Sequence, residues 1–248
     1  MEEKSRTVDK VVELNQGQHS DAGMSARRPR KGIYLLPNIL TTGALFGGFY
    51  AVLSGFSGQY EWAAMAIFAA MVFDGLDGRV ARMTNTQSDF GVQYDSLSDM
   101  VSFGVAPAVL AYGWGVSSLG KLGWAATFVY ASCAALRLAR FNVQAGVSDG
   151  KVVTGLPSPV AAALVAGLVW SAQDIQPSLW LSVAGALVTA SAGLLMVSNF
   201  KYPSFKKVDM RGKVPFIVIL SVVMGFVVIT IDPPRVLFAM ALFFSLSA

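Results

Sequence analysis

The chain has 248 residues, of which 54% are hydrophobic and 14% are charged, whereas soluble globular domains carry about 25% charged residues. This composition and the long apolar runs indicate a polytopic membrane protein. The net charge of +4 does not indicate a nucleic-acid partner, because the basic residues fall between apolar runs rather than along one face. The single cysteine, Cys133, excludes an intrachain disulfide framework, and the single histidine, His19, lies in a polar segment, which argues against a catalytic histidine.

The N-terminal segment, residues 1–31, is polar and basic and ends in "RRPRK". It lacks an early apolar stretch followed by a cleavage site, so it does not resemble a secretory signal. We expect a disordered tail that stops at the membrane surface. Its arginines either attract anionic headgroups or only fix the orientation of the protein. Residues 32–248 are predicted to form one membrane-embedded domain.

The apolar runs predict an all-α fold, a transmembrane helix bundle with about eight spans. A spanning helix needs roughly 20 mostly apolar residues, and the last run is short by this measure. Polar, Gly- and Pro-containing breaks separate the runs. The predicted spans are 34–56, 61–83, 91–115, 121–143, 157–173, 178–198, 213–231 and 235–247.

The basic residues between these spans fall almost entirely on one side of the predicted bundle. With the N-terminus in the cytoplasm, 17 of the 19 Lys and Arg residues face the cytoplasm, and only Lys121 and Arg235 face the opposite side. This asymmetry is what the positive-inside rule expects. It favours an inner-membrane protein with both termini in the cytoplasm.

Helix 1 contains "GALFG" at 43–47, a pair of glycines separated by three residues. Such a pattern lets two helices approach closely in a membrane. It is compatible with packing on a neighbouring helix of the same chain or on a second subunit, so it supports a homodimer only weakly.

The stretch "VFDGLDGRVARMTNTQSDFGVQYDSLSDM" at 72–100 is unusual because it brings acids into a strongly apolar context. Asp74, Asp77, Gly78, Ala81 and Arg82 recur at the spacing of one helix face.

Gly91, Asp95 and Asp99 recur at four-residue intervals on the next predicted helix, after the polar turn "TNTQS". Two neighbouring helices can therefore aim four carboxylates at one point, near the cytoplasmic ends of spans 2 and 3. Asp89 fits neither face and is expected to be a loop or cap residue.

Four carboxylates at one point would repel one another unless cations or protons balance them. Two divalent cations, Mg²⁺ or Mn²⁺, would balance the charge, and oxygen ligands suit these hard ions. Two such ions can clamp a phosphoryl group. The small residues Gly78 and Ala81 leave room for a ligand, and the guanidinium of Arg82 suits a phosphate.

The acids also admit two other interpretations. Pairing with Arg79 and Arg82 would give them a purely structural role, but two arginines do not balance four acids. A divalent-cation transporter would have acids spread over several helices through the membrane depth, whereas here they cluster at one end of two helices.

The sequence resembles the CDP-alcohol phosphatidyltransferase family, whose signature D-x2-D-G-x2-A-R-x8-G-x3-D-x3-D matches residues 74–99 at every fixed position. Further stretches narrow the resemblance to the bacterial integral-membrane phosphatidylserine synthases. These stretches are "LPNILTTG" at 36–43, "DSLSDMVSFGVAPA" at 95–108, "LRLARFN" at 136–142, "GLPSP" at 155–159 and "KYPSFK" at 201–206.

The resemblance implies a six-helix catalytic core and transfer of a phosphatidyl group from CDP-diacylglycerol to L-serine, with release of CMP. It implies that Asp74, Asp77, Asp95 and Asp99 hold the metals and that Asp99 is also the general base. It further implies a CDP-diacylglycerol site formed by Asp74 and five neighbours, Asn38, Thr41, Gly78, Ala81 and Arg82.

The sequence allows more than one interpretation of the acceptor site. Arg137 and Arg140 interrupt an apolar run on the same side as the acids, and we expect them to bind the serine carboxylate. They would equally suit a phosphate, as in relatives that use glycerol 3-phosphate or an inositol acceptor, or they only snorkel to the interface. Lys151 and "TGLPSP" are expected to close over the site, and "KYPSFK" to lie at the headgroups.

Overall fold

The computed structural model describes residues 35–84, 86, 88–144, 153–202 and 230–247. The expectations for the tail 1–31, for Lys151, for most of "KYPSFK" and for the span 213–231 lie outside these residues. Within them the chain is helical apart from turns and one short pair of strands.

The first two helices are long and follow one another directly in the sequence. Helix α1 spans Leu35–Phe56, and α2 spans Tyr60–Thr84. A tight turn joins them, in which Gly58 adopts a φ of 76°, a conformation that suits glycine because it has no Cβ. Both helices end within one or two residues of the sequence-based bounds.

The third predicted span, 91–115, is a continuous rod with a change of helical type in its middle. Helix α3, Asp89–Asp99, leads into a π-helical turn, Met100–Val105, and then into α4, Ala106–Trp114. Ser88 caps α3 by accepting a hydrogen bond from the Gly91 amide. Asp89 is the first residue of α3, where a negative charge interacts favourably with the helix dipole.

The remaining described elements follow in chain order. A short 3₁₀ turn, Val116–Leu119, leads into α5, Lys121–Gln144. Helices α6, Ser158–Ser171, and α7, Leu179–Val197, are flanked by two short strands, and α8 spans Pro233–Leu246. The strands β1, Val153–Thr154, and β2, Lys201–Tyr202, pair antiparallel, with Val153 opposite Tyr202.

Small residues let the helices pack closely around two buried clusters. One cluster joins α1, α2, α4 and α6 around Ile67 and Phe103, and the other joins α5, α6, α7 and α8 around Tyr130 and Met196. Large apolar side chains also cover the outside of the bundle, as expected for contact with lipid; they include Phe46, Phe56, Trp62, Trp124, Trp180 and Leu194.

Three of the described helices are long and apolar enough to cross a bilayer by length and composition, namely Leu36–Phe56, Lys121–Val143 and Leu179–Val197. Helix α2 is long enough but carries several charged residues. Helices α6 and α8 have 14 residues each, or about 21 Å at 1.5 Å per residue, less than the roughly 30 Å of a hydrocarbon core. The chain is an integral membrane protein, and three of the eight predicted spans meet this measure within the described residues.

The glycine pair of "GALFG" packs inside the chain. A Cβ on Gly43 would lie 3.3 Å from the ring of Phe73, and one on Gly47 would lie 3.1 Å from the carbonyl of Ala66. Both contacts are with α2. The pattern thus explains the close approach of α1 and α2 and gives no separate support to a second subunit.

Candidate active site

The two acid-bearing helices place their carboxylates at matching depths. Asp74 lies ten residues before the end of α2, and Asp99 lies ten residues after the start of α3. At 1.5 Å per residue each is about 15 Å from the helix end that the connecting turn joins. Asp77 and Asp95 lie nearer to that turn, at about 10 Å. The helical spacing therefore puts the four acids at two neighbouring levels.

Three of the four acids converge in space. Carboxylate oxygens of Asp74, Asp95 and Asp99 lie within 4.8 Å of one another, and all three side chains are partly buried. Because they come from two helices separated by a turn, the cluster depends on the tertiary arrangement of those helices and not on one helix face alone. The sequence predicted that α2 and α3 aim four carboxylates at one point, and the structure groups three of them.

The fourth acid, Asp77, lies one helical turn from Asp74 and is held by helix α1. The hydroxyl of Thr41 donates a hydrogen bond to Oδ2 of Asp77 at 2.7 Å, and both side chains are buried. The backbone carbonyl of Thr41 accepts a hydrogen bond from Oγ of Ser98 on α3 at 3.1 Å. Thr41 thus connects α1 to both acid-bearing helices.

The two arginines of "LRLARFN" point to different partners. Nη1 of Arg137 donates to Oγ of Ser158 at 2.7 Å, and the charge of its guanidinium acts on Asp74 and Asp99 from nearby. Arg140 instead donates to Oδ1 of Asn199 at 3.1 Å and approaches the carbonyl of Val197 at 3.5 Å. Arg137 therefore borders the acid cluster, whereas Arg140 is bonded to the end of α7.

The face of α2 that was expected to bind the nucleotide is open at Gly78. A Cβ added to Gly78 would meet no atom within 4 Å. Ala81 is partly buried, and Arg82 is exposed one turn further along the same face. Asn38 on α1 lies near the first turn of α3, since its Oδ1 is 3.7 Å from the position of a Cβ on Gly91.

Several polar residues that hold the site together were not singled out from the sequence. The hydroxyl groups of Thr42 and Tyr94 are 2.9 Å apart, which joins α1 to α3. Nδ2 of Asn142 donates to Oγ of Ser96 at 3.0 Å, which joins α5 to α3. Such polar positions in apolar spans carry a weak signal, because one sequence alone does not say which helix supplies the partner.

The donor set fits a hard divalent cation. The clustered ligand atoms are all carboxylate oxygens, and the group formed by Asp74, Asp95 and Asp99 contains neither His nor Cys. Mg²⁺ and Mn²⁺ prefer oxygen ligands, whereas zinc prefers nitrogen and sulfur. Arg137 supplies one positive charge, which is too little to balance the acids, so a cation-binding role agrees with the local charge.

The chain is similar in sequence to several known proteins. The CDP-diacylglycerol–serine O-phosphatidyltransferase of Helicobacter pylori strain 26695 is 38% identical over 205 residues, which cover 80% of this chain and 84% of that protein. The enzyme of the same description from Methanocaldococcus jannaschii is 44% identical over 139 residues, covering 56% of this chain and 62% of the relative. The archaetidylserine synthase of Methanothermobacter thermautotrophicus is 35% identical over 179 residues, covering 71% and 72%.

The match to a family pattern spans the same region as the site. The pattern described as CDP-alcohol phosphatidyltransferase matches residues 34–198. This range includes α1, both acid-bearing helices and the two arginines of α5. The chain belongs to the CDP-alcohol phosphatidyltransferase family.

Proposed function

We propose that this protein transfers a phosphatidyl group from CDP-diacylglycerol to L-serine, giving phosphatidylserine and CMP. The serine hydroxyl oxygen forms a new bond to the phosphorus that carries diacylglycerol. The bond from that phosphorus to the CMP oxygen breaks, and the hydroxyl proton is taken up by a carboxylate. The names of the relatives from H. pylori and M. jannaschii support the choice of donor and acceptor.

The observation that carries the proposal is the convergence of Asp74, Asp95 and Asp99 within 4.8 Å, near the partly buried Arg137 and the open face at Gly78. Phosphoryl transfer needs charge stabilisation and positioning more than covalent chemistry by the protein. A cluster of carboxylates that can hold cations, next to room for a phosphate, provides both.

Asp99 is the proposed general base. It is the last residue of α3, farther from the connecting turn than Asp95, and it belongs to the converging group. A serine hydroxyl is a poor nucleophile until a positioned base accepts its proton. A carboxylate of Asp99 that faces the acceptor would take the proton as the new phosphorus–oxygen bond forms.

The proposed cofactors are two divalent cations, Mg²⁺ or Mn²⁺, held by Asp74, Asp77, Asp95 and Asp99. When bound, such ions neutralise the phosphate oxygens and the departing CMP. The hydrogen bond from Thr41 fixes the orientation of Asp77, so that this carboxylate is aimed before any ligand arrives.

The proposed CDP-diacylglycerol site extends from the acids toward the turn between α2 and α3. Gly78 and Ala81 leave space against the α2 backbone, and Arg82 would pair with a phosphate. Asn38 and Thr41 approach the same region from α1. The proposed acceptor site is formed by Arg137 and Arg140.

The proposed membrane arrangement has eight spanning helices, six of which form the catalytic core, preceded by the separate tail 1–31. The protein would lie in the inner membrane with both termini and the site on the cytoplasmic side, since 17 of 19 basic residues fall on that side. Water-soluble serine and the CDP head would then arrive from the cytoplasm. A homodimer stays a prediction, and lipids would cover the apolar outer surface.

An acceptor screen with the purified full-length protein tests the proposed reaction. CDP-diacylglycerol and Mn²⁺ or Mg²⁺ in detergent are combined with L-serine, glycerol 3-phosphate or inositol phosphate, and CMP release is measured. Serine-dependent CMP release is the expected result. Turnover with another acceptor alone would assign a sister activity of the same family. Metal uptake into proteoliposomes without any CMP release would instead favour a cation transporter.

A further inference from the structure

The start of helix α6 is fixed to the end of α7 by backbone hydrogen bonds. The strands β1 and β2 pair antiparallel. Next to them, the Gly155 amide donates to the carbonyl of Phe200 at 2.9 Å, and the Leu156 amide donates to the carbonyl of Leu195 at 3.0 Å. We call residues 153–158 and 195–202 the paired segment. It holds Ser158, the first residue of α6, in a defined position.

Ser158 has a polar partner on a different helix. Its side chain is 1% exposed, and its Oγ accepts a hydrogen bond from Nη1 of Arg137 at 2.7 Å. A hydrogen bond to a charged donor at this distance is short and strong. Ser158 is the hydrogen-bond partner of this guanidinium among the described residues, and a guanidinium has five N–H donors, so further donors could serve a ligand.

The position of Arg137 matches the chemistry of an amino-acid acceptor. In L-serine the carboxylate is separated from the hydroxyl oxygen by only two carbon atoms. A cation that holds this carboxylate must therefore lie near the base that takes the hydroxyl proton. Arg137 is near enough for its positive charge to act on Asp99, so it meets this requirement. Arg140 is instead bonded to Asn199 and Val197 at the end of α7.

We propose that Ser158 is a positioning residue that aims the guanidinium of Arg137 at the acceptor carboxylate, next to Asp99. The inference rests on the proposed function and narrows it, since it assigns carboxylate recognition to Arg137 and not to Arg140. The backbone hydrogen bonds of the paired segment hold Ser158 in place. The charge-assisted hydrogen bond from Arg137 to Ser158 then holds the guanidinium in its orientation.

Steady-state kinetics of Ser158→Ala in the purified full-length protein test this role. The KM for L-serine should rise about tenfold, the scale of one lost hydrogen bond to a charged group. The KM for CDP-diacylglycerol should change by less than about twofold, because the donor does not need the acceptor cation. Serinol has a hydroxymethyl group in place of the carboxylate, so wild type and variant should use it equally.

Two further variants separate positioning from a general structural role. In an Arg137→Lys background, Ser158→Ala should cause no further rise in the serine KM, because the guanidinium that Ser158 orients is no longer present. Ser158→Cys keeps the side-chain size with a weaker acceptor and should shift the serine KM in the same direction, should the alanine variant fail to fold. Ser182→Ala is the matched control, because Ser182 is 0% exposed and bonded to Ser118 at the opposite end of α7.

Equal rises in both KM values, an equal loss with serinol, or full additivity with Arg137→Lys would overturn the positioning role. Failure of the two proposals is distinguishable. A wild-type protein without serine-dependent CMP release would refute the proposed function itself. An active wild type with an unchanged serine KM in Ser158→Ala would refute only the role of Ser158.

Discussion

The hydrogen bond from Thr41 to Asp77 offers the sharpest test of how the site is built. Thr41→Val removes the hydroxyl and keeps the shape of the side chain. The lost bond is 2.7 Å long, and Asp77 is only 4% exposed, so water cannot easily replace the donor. A hydrogen bond to a charged group contributes about 1.5–3 kcal/mol. At 1.36 kcal/mol per factor of ten, this corresponds to about 10-fold to 150-fold.

We expect the effect of Thr41→Val in the metal dependence of the reaction. Without this donor, the carboxylate of Asp77 is free to rotate, so part of the free energy of cation binding is used to orient it. The Mn²⁺ concentration for half-maximal CMP release should rise by about 10-fold to 100-fold, as expected when a partner of a metal ligand is removed. The assay is CMP release from CDP-diacylglycerol and serine over a Mn²⁺ titration in detergent.

Two control variants make the Thr41 result interpretable. Thr41→Ser keeps the hydroxyl and should retain nearly the wild-type metal dependence. Thr189→Val removes a buried threonine hydroxyl whose partner among the described residues is the Gly185 carbonyl of its own helix, at 2.8 Å, and should leave the Mn²⁺ titration unchanged. A folded Thr41→Val variant with the wild-type Mn²⁺ requirement would refute the view that Thr41 orients a metal ligand.

Three further predictions concern the base, the nucleotide pocket and the packing of α1. Asp99→Asn should lower kcat by about 10²-fold to 10⁴-fold with little change in thermal unfolding; a rate within about tenfold of wild type would remove Asp99 from the base role. Gly78→Leu should fold, because a Cβ there meets nothing within 4 Å, yet raise the KM for CDP-diacylglycerol about tenfold by filling the pocket; an unchanged KM would put the nucleotide elsewhere. Gly48→Ala should destabilise the protein by about 1–3 kcal/mol in detergent unfolding, because its Cβ would lie 2.6 Å from Cα of Ser102; Gly75→Ala, with nothing within 4 Å, is the control, and equal stability of the two variants would contradict the packing.

Helical periodicity predicted the two stripes of acids in the candidate site. The spacing of Asp74 and Asp77 on one helix and of Asp95 and Asp99 on the next predicted two facing stripes, and both helices form where expected. The bounds of the apolar helices were predicted within a few residues, because hydrophobicity and the Gly, Pro and polar breaks are local properties of the chain. The π-helical turn after Asp99 was not predicted, since it arises where Ser102 bonds to the Ala44 carbonyl of α1 and Tyr130 bonds to the Phe103 carbonyl.

The sequence by itself determined the membrane class, the helices and the register of the acids, because each of these follows from the order of residues along a single segment. Only the tertiary structure decided which groups meet across segments. Thr41 reaches Asp77 over 36 positions, and Arg137 reaches Ser158 over 21 positions while Arg140, one turn away, bonds to Asn199. Partners so far apart are chosen by how whole helices pack, and a periodic pattern within one helix carries no information about the helix that lies against it.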